Sequence, residues 1–186
     1  RAILERRQVV NEALKGDFLA GPSERLHRAS RHLLDAGGKR LRPAVLLLSA
    51  EALADVEPGS ADYRTFPDAD GGEVDVLDAA VAIEIVQSFT LIHDDIMDDD
   101  DMRRGVPAVH REFDLSTAIL AGDVLYSRAF ERMLDTGAPA ERLVDALANL
   151  AHTCTVLCEG QSLDMEFERG RSVTVDEYLD MIELKT

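Results

Sequence analysis

Three features of this 186-residue sequence predict an all-α fold: apolar residues recurring at three- and four-residue intervals, capping residues and glycine stops at the ends of those stretches, and no period-two alternation. Apolar residues make up 46% of the chain, enough for a globular core. The length fits one all-α domain over residues 1–186, built as a bundle of long helices.

The elements follow in order. Residues 2–19 carry a mixed helical pattern. Pro22 and Ser23 open a second helix through Leu26, Ala29 and Leu33, and Gly37-Gly38 stops it. Pro43 stands where a first helical residue would, and residues 43–54 continue that helix. Residues 55–75 hold Pro58, Gly59, Pro67, Gly71 and Gly72 and read as an exposed acidic loop. Helices are expected at about 75–98, 115–135 and 140–167. A loop around residues 168–173 leads to a last helix begun by Thr174 or Asp176, and Thr174 and Glu177 have capping-box spacing.

A net charge of −16 argues against nucleic acid or an anionic membrane as a partner, since both need basic surface. The 20 basic residues include only three lysines (Lys15, Lys39 and Lys185), and lysine scarcity with abundant aspartate reads as adaptation to high salt. A GC-rich genome would produce the arginine bias too. No apolar run reads as a membrane span and no signal peptide is visible, so no stable membrane insertion and a cytoplasmic location are expected. Cys154 and Cys158 match no zinc or redox spacing and read as buried free thiols.

The chemistry concentrates in two stretches. Six of the eight residues from Asp94 to Asp101 are aspartate, at the end of the apolar helical run 79–93. Acids at a helix C-terminus oppose its dipole and repel one another, so the arrangement calls for cations. Asp94 and Asp98 are four apart and can share one helical face. Carboxylates suit hard divalent ions, and magnesium takes one or two of them while keeping positions for water and phosphate. The plainer reading is a solvated acidic surface. A calcium loop fits poorly: counted from Asp98, its sixth position is Arg103 rather than Gly and its twelfth Val109 rather than Glu. The second stretch, Gly37–Pro43, combines two glycines, the cations Lys39, Arg40 and Arg42, and a following helix N-terminus. That combination is a ready anion site, although the spacing of a Walker loop is absent. Surface cations at a helix junction are the plainer alternative. Together the two stretches point to two phosphate-bearing substrates, one held through metal and one by direct basic contacts.

Taken jointly, residues 37–43 and 94–105 resemble the trans-prenyltransferases of the polyprenyl synthetase family, as do residues 118–123, 160–164 and the final Lys185-Thr186. The resemblance implies an all-α bundle around a central substrate cavity, expected to be a homodimer. It implies magnesium at Asp94 and Asp98, with Asp95 beside them. Arg103, Lys185 and Thr186 would contact an allylic diphosphate, and Arg104, Lys39, Arg42 and Gln87 would contact isopentenyl diphosphate. Gln87 lies seven residues before Asp94, two helical turns, so spacing also puts it on that stripe. Gln161 and Asp164 would line the site more loosely, or serve as structural hydrogen-bonding residues. His93 would orient or pack. The implied reaction condenses the two diphosphates into a longer all-trans prenyl diphosphate.

Phe89, five residues before Asp94, implies a geranylgeranyl product by the same resemblance, although helix geometry turns it roughly 140° from Asp94 and core packing is the plainer role. Thr90 is not aromatic, which argues against a farnesyl product. Family members continue through a second aspartate-rich motif that is absent here, so the chain reads as an N-terminal portion with little turnover by itself. The alternatives are a non-catalytic subunit of such a synthase and a terpene cyclase; a cyclase would not need the basic turn.

Overall fold

The computed structural model describes residues 2–16, 18–54, 56–57, 59, 62–68, 70–170 and 172–185. Two compact units divide the chain, residues 1–138 and 139–186.

In the first unit the helices are α1 (Ala2–Leu14), α2 (Glu24–Asp35), α3 (Leu41–Leu53), α4 (Val76–Met97), the short α5 (Val109–Glu112) and α6 (Leu115–Leu134). Helix α4 packs against all the others, most extensively against α6. Its Leu77, Val81, Ile85, Val86 and Ile92 are buried, and each such side chain contributes roughly 1.5–3 kcal/mol when removed from water. On α6 the buried residues Ala118, Ala121, Leu125, Ala129 and Met133 recur every three or four positions, with Gly122 beside them, a stripe of mostly small side chains that lets the helix lie close to its neighbours.

Caps fix the helix starts. Ser23, Asp75 and Asp114 each accept the backbone N–H three residues on, satisfying donors with no intrahelical partner. Other boundaries differ from expectation. Helix α1 ends at Leu14 rather than 19, because Lys15 and Gly16 close tight turns onto Glu12 and Ala13. Helix α3 starts at Leu41, so Pro43 is its third residue, where its missing N–H still costs nothing. The acidic segment is not merely exposed loop: strands β1 (Phe66–Pro67) and β2 (Glu73–Val74) pair antiparallel, and Phe66 and Tyr63 are buried. The Tyr63 hydroxyl donates to Glu51, which also pairs with buried Arg6 and accepts from Gly59 N at 3.2 Å. A second small hairpin joins β3 (Met102–Arg103) to β4 (Val106–Pro107).

By length and composition α4 is apolar enough to cross a membrane, contrary to the reading of no such run. It is instead the central core helix of its unit, and its buried carboxylates all meet arginines: Asp78 with Arg132, Glu84 with Arg40 and Arg104, and Asp95 with Arg103.

The second unit comprises α7 (Ala140–Glu168) and α8 (Val175–Lys185), which folds back on α7. Thr174 and Glu177 form the expected reciprocal capping box. A Cβ on Gly160 would lie 2.4 Å from Lys185 N, so glycine permits backbone-to-backbone approach. Cys154 is buried, and burial pushes its thiol pKa up. Cys158 is exposed, correcting the reading of two buried thiols.

Candidate active site

The acid run begins as helix and ends as a knot of ion pairs. Asp98 caps α4, its N–H donating to Asp94 O at 2.9 Å. The chain then turns through Asp99, in a left-handed conformation at φ 56°, and enters the β3–β4 hairpin. Arg104 and Gly105 form the two-residue hairpin turn, with φ 53° and 82°. Positive φ at both turn positions matches strand twist, but a non-glycine residue there is uncommon.

Arginines meet much of the run. Arg103 donates through Nε to Asp95 Oδ1 at 2.6 Å and through Nη2 to Asp100 Oδ2 at 2.9 Å. Arg111 on α5 reaches Asp99 Oδ1 at 2.7 Å and Asp101 Oδ1 at 2.8 Å. Asp95 is fully buried, and its Oδ2 has no hydrogen-bond partner. Burial raises its pKa against the opposing pull of Arg103. Asp94 is half-buried and Asp98 exposed, on the terminal turn of α4. Among the described residues no three His, Cys, Asp or Glu side chains are grouped to hold a metal. Two carboxylates one turn apart beside a buried orphan oxygen are a donor set for an ion that needs only one or two protein ligands.

The basic turn divides its cations. Gly37 and Gly38 have φ 84° and 152°, and Arg40 is left-handed at 51°. Arg40 therefore turns inward: it is buried, with Nε on Asn11 Oδ1 at 2.9 Å and Nη2 on Leu34 O at 2.7 Å. Arg40 thus leaves the cluster of three cations for the interior, while Lys39 and Arg42 are exposed and make no ion pair among the described residues.

Glu84 joins the two stretches. Its Oε1 accepts from Arg40 Nη1 and, at 3.0 Å, from Arg104 Nη2. Arg104 Nη1 also donates to Leu33 O at 2.8 Å, and a Cβ on Gly38 would lie 3.2 Å from the Arg104 guanidinium carbon. Burial lowers the Arg104 pKa, opposed by Glu84. His32 Nε2 meets Pro107 O at 2.8 Å. The basic turn thus touches the hairpin that ends the acid run. Gln87, three residues after Glu84, is half-buried on the same side of α4.

Phe89 is half-buried, its ring 5.0 Å from that of His93 and 5.2 Å from that of Tyr126. His93 lies against Gly122 and meets Ile119 O at 3.2 Å, a packing contact between α4 and α6. In the second unit the Lys185 ammonium pairs with Asp164, and Gln161 is half-buried beside Gly160. Thr186 lies outside the described residues. A cleft of about 380 Å³ opens elsewhere in the first unit, lined by Phe18, Arg128, Glu131 and Arg132, and no predicted site residue borders it. Sequence reading missed Glu84 and Arg111. Glu84 carried a signal, being the one charge inside the apolar run 79–93. Arg111 carried none.

Fold and site together define an all-α protein whose acidic helix end meets a basic turn through one buried carboxylate. The family model for polyprenyl synthetase matches residues 23–186, and the chain belongs to that family. A geranylfarnesyl diphosphate synthase of Natronomonas pharaonis is 70% identical over 185 residues, covering all of this chain and 54% of that protein. A geranylgeranyl pyrophosphate synthase of Geoglobus acetivorans is 49% identical, covering 99% of this chain and 53% of its own length. The solved structure of a geranylgeranyl pyrophosphate synthetase from Geoglobus acetivorans superposes with a TM-score of 0.86, covering 100% of this chain and 56% of that one. The Pyrococcus horikoshii geranylgeranyl pyrophosphate synthetase, 39% identical, gives 0.82 and covers 99% of this chain and 51% of its own. The chain spans about half the length of the curated relatives it matches.

Proposed function

We propose that this chain binds the substrates of a trans-prenyltransferase, which joins an allylic diphosphate to isopentenyl diphosphate and releases a longer all-trans prenyl diphosphate of the geranylgeranyl class. The observation that carries the proposal is the contact through Glu84, which keeps a phosphate-binding basic turn beside an acidic helix end. Asp94 and Asp98, with Asp95 behind them, would hold magnesium. The chemistry supplied by the bound ion is neutralisation of charge on the leaving diphosphate.

The chain's own residues do the rest. Arg103 is oriented by Asp95 and Asp100 through Nε and Nη2, which leaves Nη1 for an allylic phosphate oxygen. Lys39 and Arg42, exposed at the turn, and Arg104 and Gln87 beside it, suit the diphosphate of isopentenyl diphosphate. As the allylic C–O bond breaks, its electron pair leaves with the diphosphate. The allylic carbon then bonds to the double bond of isopentenyl diphosphate, and a proton passes to the departing diphosphate. No side-chain nucleophile is needed. By the resemblance alone, Lys185, Thr186 and Gln161 are proposed as further diphosphate contacts. A homodimer, a cytoplasmic location and adaptation to high salt belong to the same reading, the last supported by the charge of −16.

The test measures incorporation of radiolabelled isopentenyl diphosphate, on residues 1–186 and on the whole product of the gene. Magnesium-dependent condensation is expected of the whole product and little turnover of residues 1–186, with Asp94→Ala in the whole product lowering turnover on the order of 10²–10³-fold, as loss of one preorganised charge-stabilising group does. Turnover untouched by chelator or by Asp94→Ala would sink the reading. The 70% identity to a geranylfarnesyl diphosphate synthase favours a second product class, one isoprene unit longer. Chromatography of the product decides between them. If Phe89 is the floor that limits chain length, Phe89→Ala shifts the product longer; if its contacts with His93 and Tyr126 are packing alone, the product distribution stays put.

A further inference from the structure

We propose that Glu84 is a positioning residue for the isopentenyl diphosphate side of the site, acting through Arg40 and Arg104; the inference rests on the reading of that site given above. Three observations carry it. Among the described residues, the non-glycine positions with left-handed backbone are Arg40, Asp99 and Arg104, all in the two motif stretches. Such conformations persist only where the surroundings over-determine them, and they gather at functional sites. Glu84 bonds two of the three with a single oxygen, from the middle of the core helix, while only 3% exposed.

The donors divide in a way that suits positioning. A guanidinium has five N–H groups. Those of Arg104 bonded to Glu84 and Leu33 O fix the plane of its head and leave others for a phosphate. Arg40 spends its donors on Asn11, Leu34 O and Glu84, so it serves as a strut and not as a ligand. With Arg40 held inward, its neighbours Lys39 and Arg42 face solvent on either side of it. Gly38 completes the joint: a Cβ there would sit a tight 3.2 Å from the Arg104 guanidinium carbon, and its φ of 152° disfavours a side chain. One carboxylate thereby sets the orientation of Arg104 and the outward facing of Lys39 and Arg42.

A carboxylate that served only to hold the core together would, when removed, weaken the whole protein and both substrates alike. A positioning residue changes one substrate. The experiment is steady-state kinetics of the whole gene product with Glu84→Gln, which keeps the shape and removes the charge. The expected result is a rise in KM for isopentenyl diphosphate on the order of tenfold or more, in line with the penalty for slight misplacement of a binding group. The KM for the allylic diphosphate should stay within about twofold under the same reasoning. Glu84→Asp keeps the charge balance and is the second variant should Glu84→Gln fail to fold; it is expected to show a smaller rise on the same substrate only. Equal changes for both substrates, or none for either, overturn the inference and leave the prenyltransferase reading standing. Absence of magnesium-dependent turnover in the unaltered protein overturns both.

Discussion

At the scale of single residues, electrostatics decides more than exposure does. Asp114 caps α6, and its carboxyl is held at about 2 by the Thr117 backbone N–H, then by Arg25 and the Thr117 hydroxyl. A depressed carboxylate pKa adds stability that is complete above the ordinary value of 3.8 and is lost as pH falls through 2. The advantage of the native protein over Asp114→Asn, which keeps the cap but not the charge, should therefore be flat at neutral pH and shrink between pH 4 and pH 2. Thermal melts across that range check it, and a gap that widens on acidification counts against it. Residue chemistry was only partly legible beforehand. The aspartate run and the glycine-basic turn stood out because charge against local context is visible in a sequence. The inward turn of Arg40 was not, because its neighbours Lys39 and Arg42 carry the same charge and only the left-handed backbone separates them.

Among the elements, the long helices were readable from their apolar stripes, and α2, α4, α6 and α8 from a cap as well. Ser23, Asp75, Asp114 and the Thr174–Glu177 box mark starts that the side chains themselves create. The hairpins were not readable: two-residue strands are too short to alternate, and an arginine stands where a hairpin turn usually advertises Asn or Asp. Helix contacts make a sharper prediction. Replacing a mid-helix glycine by alanine ordinarily stabilises by roughly 0.5–1 kcal/mol. At Gly160 the added methyl would meet the backbone of α8, which cannot rotate away, so Gly160→Ala should instead cost about 1–3 kcal/mol. At Gly122 the methyl would meet only the end of the His93 ring, so Gly122→Ala should cost less. Denaturant midpoints of the two variants give the order, and the reverse order would refute this account of the α7–α8 contact.

For the molecule as a whole, a charge of −16 repels itself, and salt shortens the range of that repulsion from about 10 Å at 0.1 M to about 3 Å at 1 M. Melting temperature should rise over that interval in potassium chloride. A flat or falling curve would mean that exposed pairs such as Arg25–Asp114 outweigh the repulsion. The membership of the family was legible from two short stretches, whereas the joint between them depends on a contact between residues 40, 84 and 104 that no local pattern announces.

The tie between Tyr63 and Glu51 has its own consequence for engineering. Burial, with Glu51 beside it, pushes the Tyr63 pKa up to about 12, so the phenol stays protonated and keeps its hold at any pH the protein meets. Its carbonyl also takes the N–H of Leu77 at 3.2 Å, at the head of α4. A foreign peptide grafted beside Gly71, at the exposed tip beyond the Phe66–Val74 pairing, would hang from the molecule without loosening that anchor. The same graft a few residues earlier, next to Tyr63, would tug on the root of the helix whose far end carries the aspartates.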